Sequence, residues 1–336
     1  MAEGSGKDCL FSVRDALAEA GEWIILSHVK PDGDTLGTGS ALWSLGTTLG
    51  KGVFWGGPDS FPERYAFLAG SGDYIPAPSF SALPLPGENT VLIVLDTSTS
   101  ARSVPGLIES AAGLPLVNID HHEDNERFGT LNWIDPGASS AGEMVWDLLR
   151  TWDVPIPLAS AEALYTAIVT DCGSFAFSST TEKTHEAAGC LIRLGVSPER
   201  MEGLIRHTRT LQSLHLWARS LSGAFLCSGF AAMAEVSITD FLETGAVPAD
   251  TEFLVNELLT IQAVTFAALL VEEEAGVRVS LRSKGNISAA EIARSLGGGG
   301  HPQAAGYKSQ LPLARAREGL LALLEKKHAE RTAASE

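Results

Sequence analysis

Along the first two hundred residues, apolar positions come in short runs set between longer stretches of helical spacing. The runs are WIILS at 23–27, VLIVL at 91–95 and LVNI at 116–119. Runs this short, without strict alternation, suit strands buried on both faces of a parallel sheet. The segment after the first run predicts a helix over 35–49. S-A-G-E at 140–143, ahead of Met144, Val145, Leu148 and Leu149, has the spacing of a capping box and predicts a helix to about 151. Two more helices are predicted, over 160–170, delivering Asp171 at its end, and over 184–194, stopped by Gly195. Strands alternating with helices predict an α/β domain, a parallel sheet with helices on both faces.

The second half has a different rhythm. Residues 197–221 are helix-compatible and polar on one side, with Arg200, Arg206, Arg209 and Arg219, as expected of a connector. Beyond them, 231–238, 263–272 and 277–282 read as strands, and 251–260, 288–295 and 313–327 as helices. This predicts a smaller α+β domain, with boundaries at 1–196, 197–222 for the connector, and 223–336.

A chain of 336 residues has length for two domains. The net charge of -17 excludes a protein that grips long nucleic acid by its phosphates, which needs clustered Lys and Arg, so any nucleic-acid substrate is expected to be short. Carboxylates gathered around divalent cations would account for part of that charge. No stretch approaches the length of a membrane helix and the first ten residues lack a secretory pattern, which points to the cytoplasm and away from membranes. Cys9, Cys172, Cys190 and Cys227 fall at no metal-type spacing and read as reduced thiols.

The chemistry gathers at the ends of the predicted strands. SHVKPDGDTLG places His28, Asp32 and Asp34 in a turn-forming loop after the first; a D-G-D triplet is also common as a plain polar turn. Asp96 ends VLIVLD, where a carboxylate serves either a ligand at the sheet edge or a helix cap. Asp120-His121-His122 follows LVNI and is the most specific signal, because paired histidines after a buried strand gain nothing by packing. We assign His121 to a metal, His122 to a substrate phosphate and Asp120 to orienting an imidazole. Asp171, at a helix C-terminus, opposes the helix dipole unless a cation offsets it. Together His28, Asp32, Asp34, Asp96, His121 and Asp171 form a mixed nitrogen and oxygen set suited to two divalent ions such as manganese. In the second half, SLGGGGHPQAAG at 295–306 sets Gly298, Gly299 and Gly300 before His301, an arrangement that serves either anion binding or a flexible turn. Arg282 and Lys284 lie close by in sequence as cations.

These motifs, SHVKPDGD, VLDTSTSAR, IDHH, SSAGE, TDCGSF and GGGGHPQAAG, occur in the order found in the DHH family of phosphoesterases, which the chain resembles over nearly its whole length. The resemblance is to the branch of bacterial nano-RNases that also dephosphorylate 3',5'-bisphosphonucleotides. It implies one manganese ion on His28, Asp32 and Asp96 and another on Asp34, Asp96, His121 and Asp171, with Asp96 bridging. It also implies His122 facing the scissile phosphate, and a DHH-associated C-terminal domain whose glycines and His301 hold phosphate or sugar across a cleft, helped by Arg282 and by Arg102. The expected substrates are short oligonucleotides or nucleotide bisphosphates. Gly37-Thr38 stands where Gly-Ser is usual, and Cys172 where a hydroxyl residue is common. A family II pyrophosphatase shares the metal motifs but not GGGGHPQAAG. Hydrolysis of linear or cyclic signalling dinucleotides is an alternative within the branch, and a non-catalytic sensor is disfavoured because every ligand position is present. A homodimer joined by an apolar face of the first domain stays open beside a monomer.

Overall fold

The computed structural model describes residues 6–206, 209–285 and 287–333. Contacts divide the chain into two compact units, residues up to 208 and from 209 onward. The first contains α1 (Gly6–Glu19), β1 (Glu22–Leu26), α2 (Gly33–Thr48), β2 (Gly52–Gly57), β3 (Ile75–Pro76), β4 (Thr90–Leu95), α3 (Leu107–Ser110), β5 (Leu116–Asp120), β6 (Leu131–Ile134), α4 (Ala141–Leu149), α5 (Leu158–Asp171), α6 (Glu182–Arg193) and α7 (Pro198–Arg206). Its six strands form a sheet in the order β3-β2-β1-β4-β5-β6, every pair parallel.

Alternate residues of the central strands separate two cores, as the pleat requires. Trp23, Ile25, Val91, Ile93, Val117 and Ile119 pack with Val13 and Leu17 of α1, Leu36 and Leu42 of α2, Leu148 of α4 and Leu164 of α5. Ile24, Leu26, Leu92, Val94 and Leu116 face the other way, onto Leu83, Val104 and Leu107. The two faces are therefore covered unequally, by long helices on one side and by short α3 and irregular segments on the other.

Helices α2 and α5 approach each other closely at Gly37. A Cβ at Gly37 would lie 2.4 Å from the Ala163 carbonyl oxygen and 2.9 Å from the Ala167 nitrogen, both backbone atoms that cannot rotate away. Gly37→Ala is therefore expected to destabilise the first unit by about 1–3 kcal/mol, overriding the better helix propensity of alanine. A thermal midpoint at or above that of the wild type would show that the helices part at no cost.

The second unit comprises α8 (Leu211–Ser222), β7 (Phe225–Cys227), β8 (Ala231–Val236), α9 (Ile238–Thr244), α10 (Leu254–Leu258), β9 (Phe266–Glu273), β10 (Gly276–Ser283), α11 (Ala289–Ser295), β11 (Gly299–Gly300), β12 (Ala304–Ser309) and α12 (Leu313–Ala333). Its sheet, β11-β12-β10-β9-β8-β7, is antiparallel except for the β8–β9 pair. One face packs on α11 and α12 through Ile292, Leu320 and Leu324. The other packs on α8 and α10 through Trp217, Leu254 and Leu258. Residues 197–221, read as one connector, form two helices with different allegiances: Met201 and Ile205 of α7 lie in the first core, and Leu216 and Trp217 of α8 in the second unit. Among the described residues no helix is long and apolar enough to cross a membrane.

Candidate active site

In the first unit the chain runs from β1 outward to β2 and β3, then returns to place β4 on the other side of β1. In open α/β sheets such a reversal leaves a crevice at the carboxyl ends of the two central strands. His28 lies two residues beyond β1, Asp96 directly follows β4, and Asp120 is the last residue of β5, with His121 and His122 after it. The ends of β4 and β5 therefore deliver four of these five groups, and neighbouring β1 supplies His28.

Asp32 and Asp34, expected in a loop, instead start a helix. Asp32 is the N-cap of α2, its side chain accepting from the backbone of Asp34 and Thr35, and Asp34 lies inside the first turn. An aspartate that favours a turn also favours an N-cap, so the local signal was ambiguous. Asp34 is fully enclosed. Its Oδ2 accepts a hydrogen bond from Ala141 N at 2.7 Å, and its Oδ1 from Gly142 N at 2.9 Å and Thr38 Oγ1 at 3.2 Å. The partly positive N-terminus of α4 thus holds this carboxylate in place, and Thr38 supplies the hydroxyl that serine would offer at that position.

Two histidines converge on Asp96, one on each oxygen. His28 Nε2 lies 3.3 Å from Asp96 Oδ2, and His121 Nε2 lies 3.4 Å from Asp96 Oδ1. Asp32 Oδ1 is 3.7 Å from His28 Nε2; Asp34 Oδ2 and Asp171 Oδ2 are 3.7 Å and 3.4 Å from His121 Nε2. Both rings are oriented from behind by main-chain acceptors, His28 Nδ1 on Val29 O at 2.8 Å and His121 Nδ1 on Ala138 O at 3.3 Å. A carbonyl can only accept, so each Nδ1 carries the proton and each Nε2 faces the carboxylates. Asp96 itself has φ of 51°, a left-handed conformation that aspartate tolerates better than most residues.

Crowding perturbs the charges. Burial works against the imidazolium of His28, but Asp32 and Asp96 outweigh it and carry its pKa up to about 10. Burial, then Asp96 and Asp171, hold the Asp34 carboxyl well above the usual range, and Asp171 is pushed up to about 6 by burial and Asp96 despite His121. Asp96 moves the other way, the adjacent imidazoles of His121 and His28 overcoming burial.

A second motif adjoins the first. His122 Nδ1 donates to Asp120 Oδ1 at 2.7 Å, and Asp120 is wholly buried. Asn125 Nδ2 lies 2.5 Å from Asp120 Oδ2. Arg102 stands beside the cluster, its Nη2 3.3 Å from His28 Nδ1. Because that nitrogen already donates to Val29 O, the approach brings two donors together and is not a hydrogen bond. Donor atoms of His28, Asp32 and Asp96 lie within 4.8 Å of one another, as do those of Asp34, Asp96 and His121. The first unit therefore holds side chains that could bind a metal ion; these two sets share Asp96, which a third grouping with Asp120 and His122 also includes. Asp96 Oδ1 is buried without a hydrogen bond, which a cation would satisfy.

The glycine-rich segment of the second unit is a hairpin. Gly299 and Gly300 pair with Gly306 and Ala305, and His301 and Ala304 exchange backbone bonds around Pro302 and Gln303. A Cβ at Gly298 would lie 2.1 Å from Gly306 O and one at Gly300 2.6 Å from Ala304 O, so these glycines permit close packing of the hairpin. Gly298 N donates to Ala293 O. Its amide therefore serves the fold of the hairpin. Arg282 pairs in register with Ala304, so its Cα sits at the hairpin end that carries His301. Lys284 turns elsewhere, its Nζ donating to Leu259 O at 2.9 Å.

Two features escaped the sequence. Glu143, expected to close a capping box with Ser140, is buried and accepts from Ser139 Oγ and Thr184 Oγ1, joining α4 to α6. Asn118, in the middle of β5, and Asn125 extend the polar network around Asp120. The position of Asn125, four residues after His121, was the available hint, but asparagine there also reads as a turn residue. Cys172 is buried, with its sulfur near Phe175 N, and occupies the hydroxyl position without entering the donor sets.

A family model described as the DHH family, N-terminal domain, matches residues 22–168, and one described as the DHHA1 domain matches 232–330. The chain is 32% identical over 291 residues to the bifunctional oligoribonuclease and PAP phosphatase NrnA of Thermus thermophilus, covering 86% of this chain and 84% of that protein. It is 30% identical over 293 residues to the protein of the same name in Bacillus subtilis, covering 84% and 88%. An exopolyphosphatase-related protein from Bacteroides fragilis has the same fold, with a TM-score of 0.89 at 24% identity over 96% of this chain and 97% of that one.

Proposed function

The chain belongs to the DHH family, and from that membership we propose that it hydrolyses phosphoester bonds in short oligonucleotides, releasing nucleoside 5'-monophosphates, and removes the 3'-phosphate of adenosine 3',5'-bisphosphate. The observation that carries this reading is the pair of donor sets sharing Asp96 at the switch point of the sheet, with the Asp120–His122 pair beside them. We assign His28, Asp32 and Asp96 to one divalent ion and Asp34, Asp96, His121 and Asp171 to a second, with manganese suited to the mixed nitrogen and oxygen donors. Bound there, the ions would supply an attacking water of lowered pKa and neutralise charge on the phosphoryl oxygens.

The side chains account for the rest. Both proposed reactions break a bond between phosphorus and a ribose 3'-oxygen, which needs a proton as it leaves. The oxygen of water bonds to phosphorus, the P–O3' bond breaks, and the departing oxygen takes a proton from His122 Nε2. The proton lost by the water then restores the imidazolium. Asp120, on Nδ1, directs Nε2 to this task. Arg102, next to His28, adds a cation that can hold a non-bridging phosphate oxygen. In the second unit, we assign His301, Arg282 and Gly299 to phosphate or sugar binding, so their removal should weaken affinity more than turnover.

The test sets a 5'-labelled dinucleotide, adenosine 3',5'-bisphosphate and pyrophosphate side by side. Turnover of the first two is expected, lost on chelation and restored by Mn²⁺. In a thermal unfolding assay, Mn²⁺ at a hundred times its Kd should stabilise the protein by about 2.7 kcal/mol, because it would bind only the folded donor sets. Hydrolysis that survives chelation would remove the metal from the reading, and cleavage of pyrophosphate alone would remove the nucleotide.

A further inference from the structure

We infer that Asn125 is a positioning residue for the proton-donating pair, fixing the Asp120 carboxylate that in turn fixes His122; this rests on the hydrolytic reading above. Three acceptors surround Asn125 Nδ2: Asp120 Oδ2 at 2.5 Å, Asn118 Oδ1 at 2.9 Å and Thr97 O at 3.0 Å. On the other side of the amide, Asn125 Oδ1 accepts from Arg127 N at 2.6 Å. Exchanging the two amide atoms would set an oxygen against three acceptors and an NH₂ against a donor, so the chemistry around the group fixes its orientation.

Asn118 is oriented in the same way. Its Nδ2 donates to Thr97 O at 3.2 Å and lies 3.4 Å from Val94 O, which leaves its Oδ1 as the acceptor facing Asn125. Asn118 is fully enclosed in β5, so the network starts from a rigid strand and reaches outward to a half-buried turn. Asp120 has its two oxygens divided between a ring that carries chemistry and an amide that carries none. Without the amide, one oxygen of a wholly buried carboxylate would lack its bond, and the group could rotate away from His122 Nδ1. A carboxylate at position 125 would be worse, because it would set two negative charges in contact.

The experiment compares leaving groups. A ribose 3'-oxygen needs a proton to depart, whereas p-nitrophenolate leaves readily without one. On the dinucleotide, Asn125→Ala is expected to lower kcat by about tenfold to a hundredfold, within the range of a positioned acid, with KM little changed. On bis-p-nitrophenyl phosphate the same variant should lose less than about threefold. Asn125→Asp, of the same size, should show the same split more strongly. Mn²⁺ titration of the wild type and both variants by thermal shift checks that the metal response is retained. Equal losses on both substrates would mean that Asn125 merely supports the fold, and unchanged dinucleotide turnover would mean that Asp120 needs no second anchor; either overturns the inference. A wild-type protein that cleaves neither substrate would instead overturn the hydrolytic reading.

Discussion

Asp96→Asn is expected to leave a folded protein whose turnover of a dinucleotide with Mn²⁺ is lower by about a thousandfold or more, a loss of roughly 4 kcal/mol in transition-state stabilisation. The size follows from the geometry. Asp96 is the one carboxylate in both donor sets, with an oxygen toward each histidine. An amide there removes a charge from both sets at once and puts a donor where a cation should be. Asparagine is the informative choice because the backbone is left-handed at this position, with φ of 51°. Asparagine accepts that conformation, whereas alanine would add strain of about 1–2 kcal/mol to the chemical defect. A cooperative thermal transition for Asp96→Asn, with turnover below a thousandth of wild type, is the expected pair of results. Retention of a tenth of the wild-type rate would exclude a shared ligand at this position.

Much of this site is legible in the sequence because strand ends are legible. A short apolar run predicts a buried strand, and the residue after it must lie at the sheet edge. That reasoning places Asp96, Asp120 and His121 before any coordinates are known. What remains hidden depends on contacts between residues far apart in the chain. Nothing near Asp34 shows that its carboxylate is held by the amides of Ala141 and Gly142. Nor does the run of glycines before His301 show that two of them are required by the carbonyls of Gly306 and Ala304. Glycine at an anion site and glycine beneath a neighbouring backbone have one composition and two causes. Short strands fail for another reason: β3 has two residues and β6 four, too few for a periodic signal to rise above turn propensity.

The remaining large effect tests whether Asp120 and His122 act as one device. His122→Ala should lower kcat on the dinucleotide by about 10²–10⁴-fold, the range of a general acid, while leaving the two donor sets intact, because His122 belongs to neither of the sets assigned to the ions. Asp120→Asn should be nearly as damaging. An amide can turn its NH₂ toward Nδ1, which then accepts instead of donating, so the ring stays neutral and is a far weaker acid at Nε2, and a group of nearly unchanged shape ceases to serve. If the carboxylate acts only through the imidazole, the double variant Asp120→Asn/His122→Ala will be no slower than His122→Ala alone. Multiplied losses in the double variant would mean that Asp120 contributes by a separate route, such as the third grouping of Asp96, Asp120 and His122 that also brings donor atoms within 4.8 Å. Thermal response to Mn²⁺ separates these cases, since a purely positioning Asp120 leaves that response unchanged, whereas an Asp120 that holds an ion does not.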